Sequence, residues 1–373
     1  MNIPIRKTFS GFSEDEKKKL VFAGIDTEER ERSGTFIQRD QSIVHCKAKQ
    51  EGVEVLGIGE ALKKYEGLMD YWHTLVPVDM DKYTAFTQLQ EPQGYFIRSF
   101  KGAKTTYPVQ SCLYLEDRGR VQSVHNIIIA EEDSELHLIT GCTTSPHADF
   151  GAHLGISEFF VKKNAKITFS MIHNWAENLD VRPRSAIQVE EGGIYLSNYV
   201  CMKPLKSLQT YPTAYLKGKG AIARFSSILV APPHSVMDVG SRIHLGSPHT
   251  KGEMITRTIS TGGKVIARGH ISGEANDCKG HLECRGMILG RNGEIHAIPE
   301  LYAKVADLDL SHEAAVGKIA REEIEYLMTR GLRESEATAL IVRGFLNVEL
   351  EGLPPSLKQE IDKAIADTEK DLF

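Results

Sequence analysis

The feature that most constrains the fold is a long central stretch of short alternating segments separated by turn residues. From about residue 93 to 300, apolar and polar residues alternate in short runs with hardly any helical period. Turn sequences occur at Asn164, Gly193, Gly220, Gly263 and Gly293, which are 29, 27, 43 and 30 residues apart. An irregular period of this length is typical of a solenoid, in which each coil buries its inner face on the next.

A β-sandwich would also contain many short strands. It should contain more two-residue hairpin turns than this stretch does, so we favour a β-helix. The sequence therefore predicts a mainly β protein with a parallel β-helix core at 93–300. A region that mixes helix and short strand precedes it at 1–92, and a helical region follows at 301–373.

Helix signals lie near both ends of the chain. Ser13 begins a capping box that predicts a short helix. Further helices are predicted at 322–330, where Gly331 is a good C-cap, at 336–350, and after Ser356. The C-terminal helices can cover the end of a solenoid, offer a docking surface, or do both.

Composition excludes several classes of function. The 45 basic and 50 acidic residues nearly cancel, and no basic tract is present, so we expect no nucleic-acid partner. The first twenty residues lack the apolar stretch of a secretory signal, and no run of eighteen apolar residues occurs, which predicts a cytoplasmic protein without a membrane span. No G-x-x-x-x-G-K-[ST] motif occurs, so we expect no ATP binding through a P-loop of its own.

Three segments carry residues suited to chemistry. Cys142 lies beside glycine and hydroxyl residues at the predicted end of a strand, which favours an accessible, reactive thiol. Cys284 precedes Arg285, which should make its thiol easier to deprotonate. His312 and Glu313 stand at the predicted junction between the β region and the terminal helices, where both side chains could turn inward.

Two interpretations of the His-Glu pair remain open on the pattern alone. Thiolate, imidazole and carboxylate together supply soft, borderline and hard donors, which suit iron or an iron–sulfur cluster with incomplete cysteine ligation. Alternatively, His312 and Glu313 begin a helix and stabilise its first turn by charge. The other cysteines, among them Cys46, Cys112 and Cys201, are expected to be small buried hydrophobes.

From residue 93 to 350 the chain resembles the SufB/SufD family of iron–sulfur cluster assembly proteins. The matching motifs include Gly141-Cys142-Thr143, Asn174-Trp175, the Cys-x-x-Met segment at Cys284, Ile298-Pro299, His312-Glu313-Ala314 and Arg343-Gly344-Phe345. The resemblance implies a right-handed parallel β-helix flanked by helical regions. It also implies a scaffold that builds a transient iron–sulfur cluster from iron and sulfur without being an enzyme.

The resemblance further implies partners and roles for single residues. A SufC-like ABC-type ATPase would dock on the C-terminal helices, a sulfur donor protein would supply sulfur, and apo iron–sulfur proteins would receive the cluster. Cys142 matches the cysteine that accepts sulfur inside the β-helix. Cys284 and Glu313 match residues of the cluster and iron site, and His312 matches a histidine present in both branches of the family.

The chain combines features of both branches of the family. Ser311 resembles the SufD branch, whereas Cys142, Cys284 and Glu313 resemble the SufB branch. We therefore expect a homodimer, or a SufB/SufD-type heterodimer, in which His312 of one subunit lies near Cys284 of the other. The competing hypotheses are a structural partner subunit that binds no cluster and a β-helix carbohydrate-active enzyme, which would need paired carboxylates and an aromatic groove.

Overall fold

The computed structural model describes residues 9–289 and 292–346. It consists mainly of strands that wind into a parallel β-solenoid, with short helices near both ends. The strands are β1 (Gly34–Arg39), β2 (Ser42–Ala48), β3 (Val53–Gly57), β4 (Tyr95–Ser99), β5 (Val109–Leu115), β6 (Val121–Ala130), β7 (Glu135–Thr144), β8 (Phe150–Val161), β9 (Lys166–Asn174), β10 (Asn178–Val189), β11 (Ile194–Cys201), β12 (Ser207–Thr210), β13 (Thr213–Leu216), β14 (Ile222–Ala231), β15 (Val236–Leu245), β16 (Lys251–Ser260), β17 (Lys264–Gly273), β18 (Cys278–Ile288), β19 (Glu294–Ala303) and β20 (Leu308–Gly317). The helices are α1 (Glu14–Phe22), α2 (Ile58–Lys64), a 3₁₀ helix (Glu66–Tyr71), α3 (Lys82–Gln88), α4 (Arg321–Thr329) and α5 (Glu334–Leu346).

Two ten-stranded sheets form the walls of the solenoid. The first sheet has the order β2-β1-β5-β7-β9-β11-β14-β16-β18-β20. The second has the order β19-β17-β15-β12-β10-β8-β6-β4-β3, with β13 beside β10 and β15. Only the β1–β2 and β3–β4 pairs are antiparallel among the described strands. Both antiparallel pairs lie at the N-terminal end of the solenoid.

Each coil of the solenoid contributes one strand to each sheet. Lys166 lies beside Ile194, which lies beside Ile222, so equivalent positions recur every 28 residues there. This recurrence confirms the predicted solenoid and explains the irregular spacing of the turns. Gly220 precedes a strand of the first sheet, whereas Gly263 precedes a strand of the second sheet, so one and a half coils separate them.

Alternation along the strands fills the space between the two sheets with side chains. Four aromatic rings pack in sequence through several coils: Phe159 lies against Phe169 at 4.8 Å and against Tyr195 at 5.4 Å, and Tyr195 lies 5.8 Å from Phe225. Burying each such ring contributes roughly 2–3 kcal/mol. This core holds the two sheets together along the solenoid axis.

The solenoid extends beyond the predicted boundaries at both ends. Strands β1 to β3 lie within 1–92, and β1 pairs in parallel with β5. At the other end, β19 and β20 continue the two sheets to Gly317, so the helices begin at Arg321 rather than at residue 301. The sequence pattern missed these strands because polar residues occupy many positions that remain exposed at an end coil.

The predicted helices at the two ends are confirmed where the structure describes them. Ser13 caps α1 through a reciprocal capping box. Gly331 follows α4 with a φ of +98°, which glycine adopts without strain. Val342 and Leu346 of α5 pack on the outer face of the first sheet. The helix predicted after Ser356 lies outside the described residues, and within them no helix is long and apolar enough to cross a membrane.

A buried carboxylate fixes the N-terminal region to the outer face of the second sheet. Glu158 of β8 is fully buried and accepts hydrogen bonds from the backbone N–H groups of His73, Leu75 and Val76 at 2.5–3.1 Å. Nε2 of His125 lies 2.7 Å from the same carboxylate. The residues between the 3₁₀ helix and α3 are therefore attached at one point, which we call the Glu158 clasp.

The Glu158 clasp predicts a large effect of a small substitution. In Glu158→Gln the amide N–H₂ would face groups that donate hydrogen bonds, so buried donors would lose their acceptor, and we expect a loss of about 3 kcal/mol in the free energy of unfolding. Denaturant unfolding and hydrogen exchange at 73–76 measure the change. Glu132→Gln, which removes only a surface ion pair with Lys101, is the control. Equal effects of the two substitutions would contradict the assignment.

Candidate functional site

Two rows of residues run along the inner face of the first sheet. Parallel pairing places Leu113, Cys142, His173, Cys201, Leu229 and Thr258 side by side, and we call this set the cysteine row. Two residues earlier in each strand, the same pairing gives Thr140, Met171, Tyr199, Ser227, Thr256, Cys284 and Ala314, the hydroxyl row. Both rows face the inside of the solenoid because they share the same side of the pleat.

Cys142 lies deep inside the solenoid rather than at an accessible turn. Its side chain belongs to the buried core, with no exposed surface. Burial raises the pKa of the Cys142 thiol well above its ordinary value, and the neighbouring Cys112 adds to the increase. The predicted accessible thiol is therefore wrong for this structure, because strand β7 continues through the Gly-Cys-Thr-Thr sequence instead of ending before it.

An internal cavity lies between the levels of Cys142 and Cys284. The hydroxyl row contributes Met171, Tyr199, Ser227 and Thr256 to its wall, and prolines and small residues of the second sheet form the opposite side. Five strand steps separate β7 from β18, which corresponds to roughly 24 Å at about 4.8 Å a step. The two cysteines thus face one interior at two levels of the solenoid.

Cys284 is buried near the C-terminal end of the solenoid. Its side chain is 4% exposed, and burial, together with Glu283, raises the pKa of its thiol to about 11, while Arg257 acts in the opposite direction. Arg285 points to the outer face, where its guanidinium lies 2.6 Å from Glu283 and 3.6 Å from Glu313. The predicted activation of Cys284 by Arg285 is therefore wrong in this structure.

His312 and Glu313 lie in strand β20 and not at the start of a helix. His312 pairs with Leu282 on the inner face, whereas Glu313 pairs with Glu283 on the outer face. Both side chains cannot turn inward, because successive residues of a strand point to opposite sides. The helix-start interpretation and the expectation of two inward side chains are both wrong.

Cys284 and His312 do share the inner face. The residue directly beside Cys284 on β20 is Ala314, and His312 occupies the next inner position, roughly 8 Å away between Cα atoms. Glu313 remains on the opposite side of the strand. In the part of the chain that the structure describes, no three His, Cys, Asp or Glu side chains are arranged to hold a metal ion.

The C-terminal end of the solenoid leaves its interior uncovered. Strands β19 and β20 each have a neighbour on one side only. Leu301 of β19 and Val316 of β20 occupy inner positions, yet they are 39% and 43% exposed because no further coil covers them among the residues that the structure describes. We call the surface formed by β19 and β20 the open end, and His312 lies on it.

The sequence interpretation missed the polar residues that lie near Cys142 on the inner face of the sheet. His173 and Cys201 follow it in the cysteine row, and Tyr199 of the hydroxyl row is hydrogen-bonded to Nδ1 of His173 at 2.8 Å. In the sequence, His173 follows Cys142 by close to one coil length and Cys201 follows it by close to two. That spacing was the signal that could have identified them.

The chain is similar to known proteins along most of its length. Residues 113–345 match the family model described as the SUF system FeS cluster assembly SufBD core domain. The chain is 50% identical over 358 residues to an iron–sulfur cluster assembly SufBD family protein of Archaeoglobus fulgidus, and the match covers 96% of both chains. It is 48% identical to a Methanothermobacter thermautotrophicus homologue, with 94% of this chain and 86% of the relative covered. The iron–sulfur cluster assembly protein SufB of Bacillus subtilis is 28% identical, with 94% and 77% covered.

The environment of Cys284 predicts a slow thiol in the isolated chain. A pKa of about 11 leaves roughly 100-fold less thiolate near neutral pH than a pKa of 9.0 would. Alkylation with iodoacetamide, followed by mass spectrometry of the Cys284 peptide, should be slow and should rise with pH into the range of that pKa. Arg257→Gln should slow it further, since Arg257 lowers the pKa of Cys284.

Arg285→Gln is the matched control for that experiment. Both Arg257 and Arg285 contact Glu283 on the outer face, but it is Arg257 that lowers the pKa of Cys284, so we expect the alkylation rate of Cys284 in Arg285→Gln to stay within about two-fold of the native rate. A decrease as large as that of Arg257→Gln would contradict the assignment of the pKa effect to Arg257.

Proposed function

Because the chain belongs to the SufBD family and takes part in iron–sulfur cluster assembly, we propose that it is a scaffold on which clusters are built and from which they are transferred. The observation that carries the proposal is the position of Cys284 and His312. They share the inner face, with Cys284 one strand inside the open end, where a second subunit would complete a ligand set that the described part of one chain lacks. The cluster is the cargo of this site and not a resident group.

The uncovered interior at the open end supports a subunit interface there. The side chains of Leu301 and Val316 lie on the inner face of the sheets but are exposed to solvent. Along the outer edges of β19 and β20, the backbone N–H and C=O groups have no neighbouring strand among the described residues. Proteins cover such edges because a free edge readily pairs with another chain. In the proposed homodimer, two open ends meet, and His312 of one subunit approaches Cys284 of the other. A heterodimer with a related chain would use the same surface.

The interior of the solenoid supports a protected path for sulfur. In the proposal, Cys142 accepts sulfur as a persulfide from a donor protein and Cys284 receives it at the assembly site. The cavity lined by the hydroxyl row lies between them, with one sheet on each side of it. A water-excluding path protects a persulfide, which external thiols would otherwise cleave.

The proposed ligands differ in how directly the structure supports them. Cys284 would bind iron as a thiolate, so iron binding must displace its proton, and assembly should weaken as the pH falls. His312 would supply an imidazole from the same face. Glu313 can join them only if its pair with Arg285 opens and the edge strand rearranges. A mixed ligand set of this kind holds a cluster less firmly than four thiolates, which suits release.

The C-terminal helices support a docking role for a separate ABC-type ATPase. No residue of α4 is buried, and Tyr326 and Met328 are exposed apolar side chains on it. Leu340 of α5 is also exposed, while Val342 and Leu346 of α5 anchor that helix to the sheet. Grouped apolar side chains on exposed helices are typical of interaction sites. The sequence has no P-loop, so nucleotide hydrolysis would come from the partner.

One alternative has specific support. A structural partner subunit that binds no cluster would agree with Ser311 and with the outward position of Glu313. It would not need Cys142, Cys284 and His312 on one inner face. Cluster binding distinguishes the two proposals.

Anaerobic reconstitution with iron and sulfide tests the scaffold proposal. The native chain should develop the visible absorption of a cluster. Each of the variants Cys284→Ser, His312→Ala and Glu313→Ala should reduce that absorption. The decrease should be at least five-fold for Cys284→Ser, because this variant removes a thiolate ligand of iron. Cys112→Ser, a buried thiol on the outer face of β5, should have no effect.

Absence of cluster absorption in the native chain would contradict the scaffold proposal and favour the structural partner. Undiminished absorption in all three variants would contradict the assigned ligands while leaving the scaffold role intact.

The open end predicts a dimer that charge can dissociate. Leu301→Lys combined with Val316→Lys would place two ammonium groups in the proposed interface, where their desolvation is unfavourable. Sedimentation velocity should show a dimer for the native chain and a monomer for the double variant. Leu89→Lys, at an exposed residue of the N-terminal region, is the control and should remain dimeric. A native chain that stays monomeric even with the ATPase bound would contradict the interface.

A further inference from the structure

A group of two thiols, an imidazole and a phenol lies inside the solenoid at the level of Cys142. In the cysteine row, His173 stands between Cys142 and Cys201, each one strand away. Tyr199 belongs to the adjoining row, two residues before Cys201 on β11. All four side chains are inside the core, at most intermediate in exposure, and three of them are almost completely buried.

These side chains form a continuous series of polar contacts. The hydroxyl of Tyr199 lies 2.8 Å from Nδ1 of His173, and Tyr199 also acts on the thiol of Cys201, whose pKa it lowers against the larger effect of burial. The other ring nitrogen, Nε2 of His173, is buried and has no hydrogen-bond partner among the described residues. A buried polar atom without a partner is unfavourable and calls for an explanation.

The distance between Cys142 and Cys284 is a second observation that bears on this group. A persulfide extends a thiol by one S–S bond of about 2 Å, which cannot span the roughly 24 Å between these residues. Cys201 lies two strand steps from Cys142, roughly 10 Å between Cα atoms, and it lies next to the cavity wall at Tyr199 and Leu229. Cys201 is therefore the nearer thiol on the same inner face, whereas Cys284 lies out of reach of a single transfer from Cys142.

We propose that Cys201 is a second sulfur carrier inside the solenoid and that His173 and Tyr199 transfer the proton that accompanies the sulfur. This inference rests on the proposed function and adds residues that take part in it. The outer sulfur of a persulfide on Cys142 would also give Nε2 of His173 the partner that it lacks.

The transfer balances without an oxidant or reductant. The sulfur of Cys201 attacks the outer sulfur of the Cys142 persulfide, a new S–S bond forms on Cys201, and the S–S bond on Cys142 breaks. The thiol proton of Cys201 passes to Tyr199, the Tyr199 proton passes to Nδ1 of His173, and Nε2 of His173 gives its proton to the sulfur of Cys142. One persulfide and one thiol enter, and one persulfide and one thiol remain.

Burial explains why a proton path is required. Burial raises the pKa of Cys201 to about 12 and lowers the pKa of His173 well below its ordinary value, so separate charges are unfavourable for both groups. A free thiolate would therefore be rare in this interior. When the proton moves together with the sulfur, no net charge has to form inside the solenoid.

The test treats the full-length chain anaerobically with inorganic polysulfide and then maps persulfides by selective alkylation and mass spectrometry. In the native chain we expect persulfide on Cys142 first and on Cys201 afterwards. Cys142→Ser should reduce the Cys201 persulfide at least ten-fold. His173→Phe and Tyr199→Phe should leave the Cys142 persulfide in place and slow its passage to Cys201 at least ten-fold and several-fold, respectively.

Cys112 is the matched control, because burial also raises the pKa of its thiol to about 12, yet it packs outside the solenoid in a separate cluster. It should carry no persulfide, and Cys112→Ser should change nothing. Persulfide on Cys142 alone, or equal persulfide on Cys201 in Cys142→Ser, would overturn the relay and leave the scaffold proposal standing. Absence of persulfide from Cys142 itself would overturn the relay and also the role of Cys142 as the sulfur acceptor.

Discussion

The parallel hydrogen-bonded ladder is the interaction on which the rest of the structure depends. It places residues that are 28–30 positions apart in the sequence beside each other, about 4.8 Å apart in space. A single inward position is therefore repeated through the coils as a row of side chains. The core, the cavity and both candidate cysteines follow from this repetition, because each is a property of a row and not of a local segment.

The sequence predicted the kind of fold but not the face on which each side chain lies. Turn residues at Asn164 and Gly193 mark successive coils, and their spacing is enough to identify a solenoid. The orientation of His312 and Glu313 depends on whether that segment is a strand, and the preceding pattern was too polar to indicate one. Arg285 was misjudged for the same reason: adjacency in a sequence implies opposite faces in a strand.

The candidate site could be predicted only in part, for reasons that are physical. Cys142 and Cys284 stand out as residue types, but the burial that raises the pKa of both thiols arises from coils distant in the sequence. His173 and Cys201 carry no local motif. Their relation to Cys142 exists only once the register of β7, β9 and β11 is known. Chemistry that is assembled by register is invisible to a motif search.

The two ends of the solenoid differ in structure, and they are synthesised at different times. The antiparallel strands β2 and β3 close the N-terminal end, which leaves the ribosome first. Each later coil can add to a surface that is already formed, since a solenoid folds by contacts between neighbouring coils. The open end is the last part of the solenoid to be made, and α4 and α5 follow it. A chain with this arrangement completes the earlier coils of its solenoid before it forms the surface proposed for a second subunit, so synthesis would order the folding of the solenoid ahead of assembly.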